Sequence, residues 1–156
     1  MGSEQIDFGE ADASIRVNRS RVLRTVATTL RALGGPRPRV SLTLVDDRTI
    51  KRLNLRYRGK NRTTDVLAFP MEDHAGLPIP LLGEVIVSVE TAKRQAREHG
   101  HSLHEELDLL IVHGLLHLVG YDDEDPLEAR LMHDREMAIL RRIYRRPAPS
   151  LRVGPV

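Results

Sequence analysis

His113, His117 and Asp123 are the residues of this chain whose types and spacing could do chemistry. They lie in the run His113-Gly114-Leu115-Leu116-His117-Leu118-Val119-Gly120-Tyr121-Asp122-Asp123. On a helix, residues i and i+4 sit about 40° apart around the axis and about 6 Å apart along it. Both imidazoles can therefore address one small volume. Gly120 tolerates positive φ, so it can end the helix and turn the chain back. The return could bring the Asp123 carboxylate to the same volume. Two ring nitrogens and one carboxylate oxygen suit Zn²⁺ and leave a fourth position open. An open position separates a catalytic zinc from a structural one.

The pair sits in a strongly apolar run, with Leu109, Leu110, Ile111, Val112, Leu115, Leu116 and Leu118 around it. Burying two adjacent imidazoles there costs free energy unless each nitrogen finds a partner. A metal ion supplies one partner to each ring. Spacing alone leaves the third ligand open. Asp122, Asp123 and Asp125 are all within reach of a turning chain, and His133 is a fourth candidate. Two histidines and one carboxylate leave a divalent site at about +1, against about +2 for three histidines. Zinc peptidases of the His-Glu-x-x-His design place a general-base glutamate after the first histidine. Gly114 stands there, which disfavours that chemistry.

The elements that must position these residues can be read from capping and periodicity. Ser102 with Glu105 forms a capping box for a helix running to about Val119, which carries both histidines. Asp125-Pro126 opens a last helix, with Leu127, Leu131, Ile139, Leu140 and Ile143 on its apolar side. Asn18 or Ser20 caps a helix to about Leu33, ended by Gly34-Gly35-Pro36. Asp46-Asp47 caps a short helix to about Tyr57, with Ile50, Leu53 and Leu55 inside. Glu90 to about His99 is one more helix. Strands are expected at Ser14–Val17, as an edge, and at Val40–Val45, Asp65–Phe69 and Leu82–Val89. Arg58–Thr63 reads as a basic loop and Met71–Pro80 as a surface loop. The expected fold is α+β, one domain with a small mixed sheet packed against several helices. Residues 1–13 read as a flexible leader, 14–146 as that domain, and 147–156 as a flexible tail.

Bulk composition narrows the class. A chain of 156 residues suits one compact core. Only 3% of residues are aromatic, so that core must come from Leu, Val, Ile and Ala. There is no cysteine, which removes disulfides, thiolate zinc sites and cysteine nucleophiles. No apolar run is long enough to cross a bilayer, and the acidic N-terminus lacks the pattern of a signal peptide. A cytoplasmic protein is the expectation. The net charge of +2 hides local clustering. Lys51, Arg52, Arg56, Arg58, Lys60 and Arg62 fall within twelve residues, and Arg141, Arg142, Arg145, Arg146 and Arg152 crowd the C-terminal end. Segregated basic clusters suit a polyanion, while solvated helix faces are the plainer account.

The run from His113 to Asp123 resembles the YbeY family of bacterial rRNA-maturation endoribonucleases. That family's pattern is His-Gly-x-Leu-His-Leu-x-Gly-Tyr-Asp-His, and only the last position differs, where Asp123 replaces histidine. Leu53-Asn54-Leu55-Arg56-Tyr57-Arg58-Gly59-Lys60, followed by Thr64-Asp65-Val66-Leu67-Ala68-Phe69-Pro70, resembles its second block. Leu82-Gly83-Glu84-Val85 resembles its third.

The resemblance implies that His113, His117 and Asp123 hold one Zn²⁺ per chain and that Arg58 falls on the family's active-site arginine. It implies metal-dependent cleavage of single-stranded RNA, in maturation of small-subunit rRNA and in ribosome quality control, with small-subunit components as partners. RNA brings its own nucleophile, the 2′-hydroxyl, so a side-chain base is less needed. Arg58 would grip a phosphate, with residues 51–62 lining the RNA approach. Tyr57 and Phe69 are expected in the core rather than stacked on bases, and Asp65 is expected to cap a turn. Two rivals stand beside this reading: a non-catalytic ribosome-assembly factor with a structural zinc, and the zinc peptidase that Gly114 disfavours.

Overall fold

A computed structural model describes residues 5–11, 14–34, 39–71 and 81–144. In chain order the elements are β1 (Gln5–Glu10), α1 (Arg19–Leu33), β2 (Arg39–Val45), α2 (Asp47–Arg58), β3 (Val66–Pro70), β4 (Leu81–Ser88), α3 (Val89–His99), α4 (Leu103–Leu118) and α5 (Pro126–Tyr144). The strands form one mixed sheet in the order β1-β2-β4-β3. β1, β2 and β4 run parallel, and β3 pairs antiparallel with β4 at one edge. This is the α+β domain with a small mixed sheet that the sequence suggests.

Local chemistry starts each helix. Asn18, Asp46 and Ser88 accept from the backbone N–H three residues on, at Arg21, Thr49 and Thr91. Ser102 and Glu105 exchange both bonds of the capping box, each 3.1 Å. One face of the sheet packs on α1, α3 and α4 through Val40, Leu42, Leu44, Val85 and Val87. The other face meets α2 through Val45, Leu67, Ile86 and Ile50. α5 covers the far side of α4, where Met132, Ile139 and Leu140 meet Leu109, Val112 and Leu116. Helix α4 is thus enclosed by the sheet on one side and by helices on the others. Its buried Asp108 is bound by Thr25 (2.7 Å) and Arg21 (3.0 Å) of α1 and by Tyr144 of α5.

Gly114 lets α4 lie directly on the sheet. A Cβ there would come within 2.7 Å of Val85 Cγ1 and 3.2 Å of Val66 Cγ2. Val85 is fully buried and β-branched, so it has little room to turn away. The missing protease-type glutamate thus has a steric cause: a side chain at this position would point into the sheet, not at the histidines. Gly114→Val is expected to cost about 3 kcal/mol by overpacking. That corresponds to a fall in Tm of roughly 6–12 °C for a domain of this size. Thermal unfolding followed by circular dichroism checks it; an unchanged Tm would refute the close approach.

Several expectations need correction. Gln5–Glu10, placed in the leader, forms β1, and Ser14–Val17 is not a strand. Ile6 and Phe8 alternate onto the core while β2 offers a full parallel ladder; Ile15 and Val17 pack on the same core as single anchors. Leu127 and Leu131 are exposed (65% and 57%) rather than on the buried side of α5. At about 100° per residue they fall roughly 120° or more from the Met132–Glu136–Ile139–Leu140 stripe. Leu55 faces out for the same reason, since Ile50 and Asn54 define the buried side of α2. Arg58 is the last residue of α2 rather than the start of a loop, with Gly59 in the left-handed region closing the helix. Tyr57 is exposed, not core. Residues 72–80 of the expected surface loop and the 147–156 tail lie outside the described residues.

Candidate metal centre

The end of α4 is a Schellman turn. Tyr121 N–H donates to Leu116 O and Gly120 N–H to His117 O, with Gly120 at φ 102°. This turn also places the Tyr121 carbonyl 2.9 Å from His117 Nδ1, which donates to it. His117 is thereby left with Nε2 as its free acceptor. His113 Nδ1 pairs with Glu136 of α5, a buried carboxylate. Its Nε2 then faces the same volume, 3.1 Å from His117 Nε2. Two nitrogen lone pairs at that distance need a cation between them, either a proton or a metal ion.

The loop after the turn delivers the acid. Asp122 Oδ1 accepts from the N–H groups of Asp123 (2.7 Å) and Glu124 (3.2 Å), bending the chain back. Asp123 Oδ2 then lies 3.6 Å from His113 Nε2 and 3.9 Å from His117 Nε2. Asp125 Oδ2 is occupied at the start of α5, accepting from Glu128 N–H. His133 is half exposed, with Nδ1 4.0 Å from Glu136. Of the four candidates for a third ligand, only Asp123 joins the two histidines. The three ligand atoms lie within 4.8 Å of one another, and no other such group occurs among the described residues. Ligands about 2.0–2.1 Å from a tetrahedral zinc would stand about 3.3 Å apart, so small side-chain adjustments fit this donor set to a metal ion.

Proton affinities agree with the geometry. Burial alone pushes the His113 imidazole down, but the hydrogen bond and charge of Glu136, helped by Asp123 and Asp65, raise its pKa overall. Burial and then the neighbouring His113 lower the pKa of His117, against the opposing pull of Asp123. His113 is thus the more basic of the two rings. Metal ligation by imidazole competes with protons, so affinity for metal falls as pH falls.

The cluster opens onto a cleft of about 360 Å³. His113, His117, Asp122, Asp123 and Glu124 line it together with Arg58, Lys60, Arg62 and residues of the edge strand β3. Arg58 Nη2 donates to Ala68 O of β3 (3.0 Å), which holds the guanidinium at the cleft wall. The rest of the expected basic track, Lys51, Arg52 and Arg56, does not line the cleft. Asp65 accepts from Val66 N–H (2.8 Å) and from the Gln95 amide (3.3 Å).

Glu136 is the residue that reading the sequence missed. Its signal was present, since it is an acid inside the apolar stripe of α5, between Met132 and Leu140. Metal-binding histidines commonly give their second nitrogen to such a carboxylate, which sets the tautomer and ring orientation.

Comparison with known proteins adds a family. An Anaeromyxobacter sp. (strain Fw109-5) protein named Endoribonuclease YbeY is 46% identical over 123 residues, covering 78% of this chain. The match spans 64% of that relative's length, less than two thirds. The Moorella thermoacetica protein of the same name is 48% identical over 129 residues, covering 78% of this chain and 81% of the relative. The solution structure of TM1509 from Thermotoga maritima superposes with a TM-score of 0.60 at 26% identity, covering 90% of this chain and 89% of that one. The family model described as Endoribonuclease YbeY matches residues 5–144, a span that takes in every described residue, and the chain belongs to that family.

Proposed function

We propose that this protein is a zinc-dependent endoribonuclease that cuts single-stranded RNA. Its setting would be the cytoplasm, in small-subunit rRNA maturation and ribosome quality control, beside small-subunit components. One observation carries this reading: two imidazole nitrogens and a carboxylate converge in a cleft that Arg58, Lys60 and Arg62 also line. His113, His117 and Asp123 are the proposed ligands and Arg58 the proposed catalytic residue. The nitrogen-rich, cysteine-free donor set favours zinc over magnesium or calcium, which prefer all-oxygen cages. Bound zinc supplies Lewis-acid polarisation of a phosphoryl oxygen.

The chain's own residues do the rest. Glu136 and the Tyr121 carbonyl fix both rings with Nε2 directed into the cleft. Arg58 presents further N–H donors to a phosphate and offsets charge that builds on it. Lys60 and Arg62 extend the cationic wall along the backbone path. Structural zinc sites are closed by four protein ligands; three ligands lining an open cleft speak against a purely bracing ion. No helix among the described residues is long and apolar enough to cross a membrane.

Zinc-loaded protein is expected to cleave a single-stranded oligoribonucleotide, and a chelator to stop it while far-UV circular dichroism is retained. Intact RNA with fully loaded protein would leave the assembly-factor reading in its place.

A further inference from the structure

The catalytic cleft has an aromatic neighbour that the metal chemistry does not use. Tyr57 precedes Arg58 in the last turn of α2, and 58% of it is exposed. It lies seven residues after Ile50, on the face that is buried earlier in the helix. That face comes out of the core here, so the ring is presented to solvent. The chain has only three tyrosines, two phenylalanines and no tryptophan, which makes an open ring at this place a costly use of an aromatic residue.

The ring is braced and flanked. Phe69 of β3 meets it edge-on, with centroids 5.4 Å apart at 61°. The Arg58 guanidinium lies over the Phe69 ring, 5.8 Å from its centroid, and Arg58 also lines the cleft. The Arg56 guanidinium lies over the Tyr57 ring itself, 5.3 Å from its centroid, so a stacking partner must take the remaining exposed surface or displace this surface arginine. Two edge-on aromatic rings, each with a guanidinium over it and one of those guanidinium groups lining a cationic cleft, match a ligand that joins a planar ring to an anion. Single-stranded nucleic acid has that composition, and its binders combine a basic groove with rings on which bases stack.

We propose that Tyr57, braced by Phe69 and with Arg56 over its ring, stacks one unpaired nucleobase of an RNA whose phosphate lies against Arg58. This rests on the RNA reading above and adds a source of strand selectivity to it. In a duplex both faces of each base are covered by neighbouring pairs, so no face is free for Tyr57. Arg58 grips the backbone of any nucleic acid, whereas Tyr57 admits only a base that has left its stack.

Because the chain has no tryptophan, Tyr57→Trp places a single indole at the site. Metal-free Tyr57→Trp protein is titrated with oligouridylate, with indole emission and fluorescence anisotropy of end-labelled RNA followed together. Stacking predicts quenching that saturates along the anisotropy curve. In the protein without the indole, Tyr57→Ala should weaken binding about tenfold and Tyr57→Phe should restore it. An oligomer of abasic residues should bind the unmutated protein and the Tyr57→Ala variant equally, which a purely structural role would not produce. RNA binding by anisotropy with unchanged indole emission, or an equal Tyr57→Ala penalty on abasic oligomer, would overturn the stacking site and leave the RNA reading standing. Absence of binding by anisotropy in the unmutated protein would overturn both.

Discussion

His117→Ala is expected to remove stoichiometric metal and RNA cleavage together. His117 contributes one of three ligand atoms, and its Nε2 stands 3.1 Å from that of His113. Without it, one imidazole and a partly exposed carboxylate remain. Losing an outer-shell partner already costs about ten- to a hundredfold in metal affinity; losing a ligand should cost more. The fold should survive. His117 is only half-buried, and the variant gives up one hydrogen bond to Tyr121 O, worth about 1 kcal/mol. Elemental analysis after dialysis, with circular dichroism and a single-stranded RNA assay on the same sample, checks all three expectations. Full zinc occupancy in the variant would show that His117 is not a ligand.

Arg58→Glu is expected to keep the metal and lose the chemistry. The Arg58 guanidinium is tied to the edge strand by its bond to Ala68 O and lines the same cleft as the histidines. Reversing its charge removes a phosphate clamp and places a carboxylate where the backbone should lie. Removing one donor that stabilises transition-state charge costs about 10²–10³-fold in turnover, and the added repulsion should carry the loss to the top of that range or beyond. Zinc content should match the unmutated protein, because Arg58 touches none of the three ligands. RNA binding should also lose part of its salt dependence. Unchanged turnover would reduce Arg58 to a surface charge.

These two variants separate two parts of the site that differ in how they could be read from sequence. The imidazole pair was legible because it is local. Helical geometry puts His113 and His117 side by side, Ser102 and Glu105 start that helix, and Gly120 stops it. The way Asp123 comes back is also local, once the backbone bonds accepted by Asp122 and Asp125 are known. Spacing alone could not choose among the acids, since every one of them was within reach of a turning chain. Arg58 was singled out only by resemblance; no periodicity distinguishes it from Arg56 or Arg62.

The sequence by itself determined the helices, their caps, the central strands and the candidate ligands on α4, because hydrogen bonds and side-chain periodicity within a few residues decide them. Tertiary structure decided what depends on contacts between distant segments. It put Glu136, 23 residues along the chain, against His113. It gave Gln5–Glu10 a parallel partner in β2 and so made a strand of a segment expected to be loose. It turned Leu127 and Leu131 outward and left Tyr57 open beside the cleft. It also explained Gly114, whose absent side chain is set by the distance between α4 and Val85. In each case the deciding energy is packing or pairing between elements far apart in sequence, and such energies exist only after the chain has closed on itself.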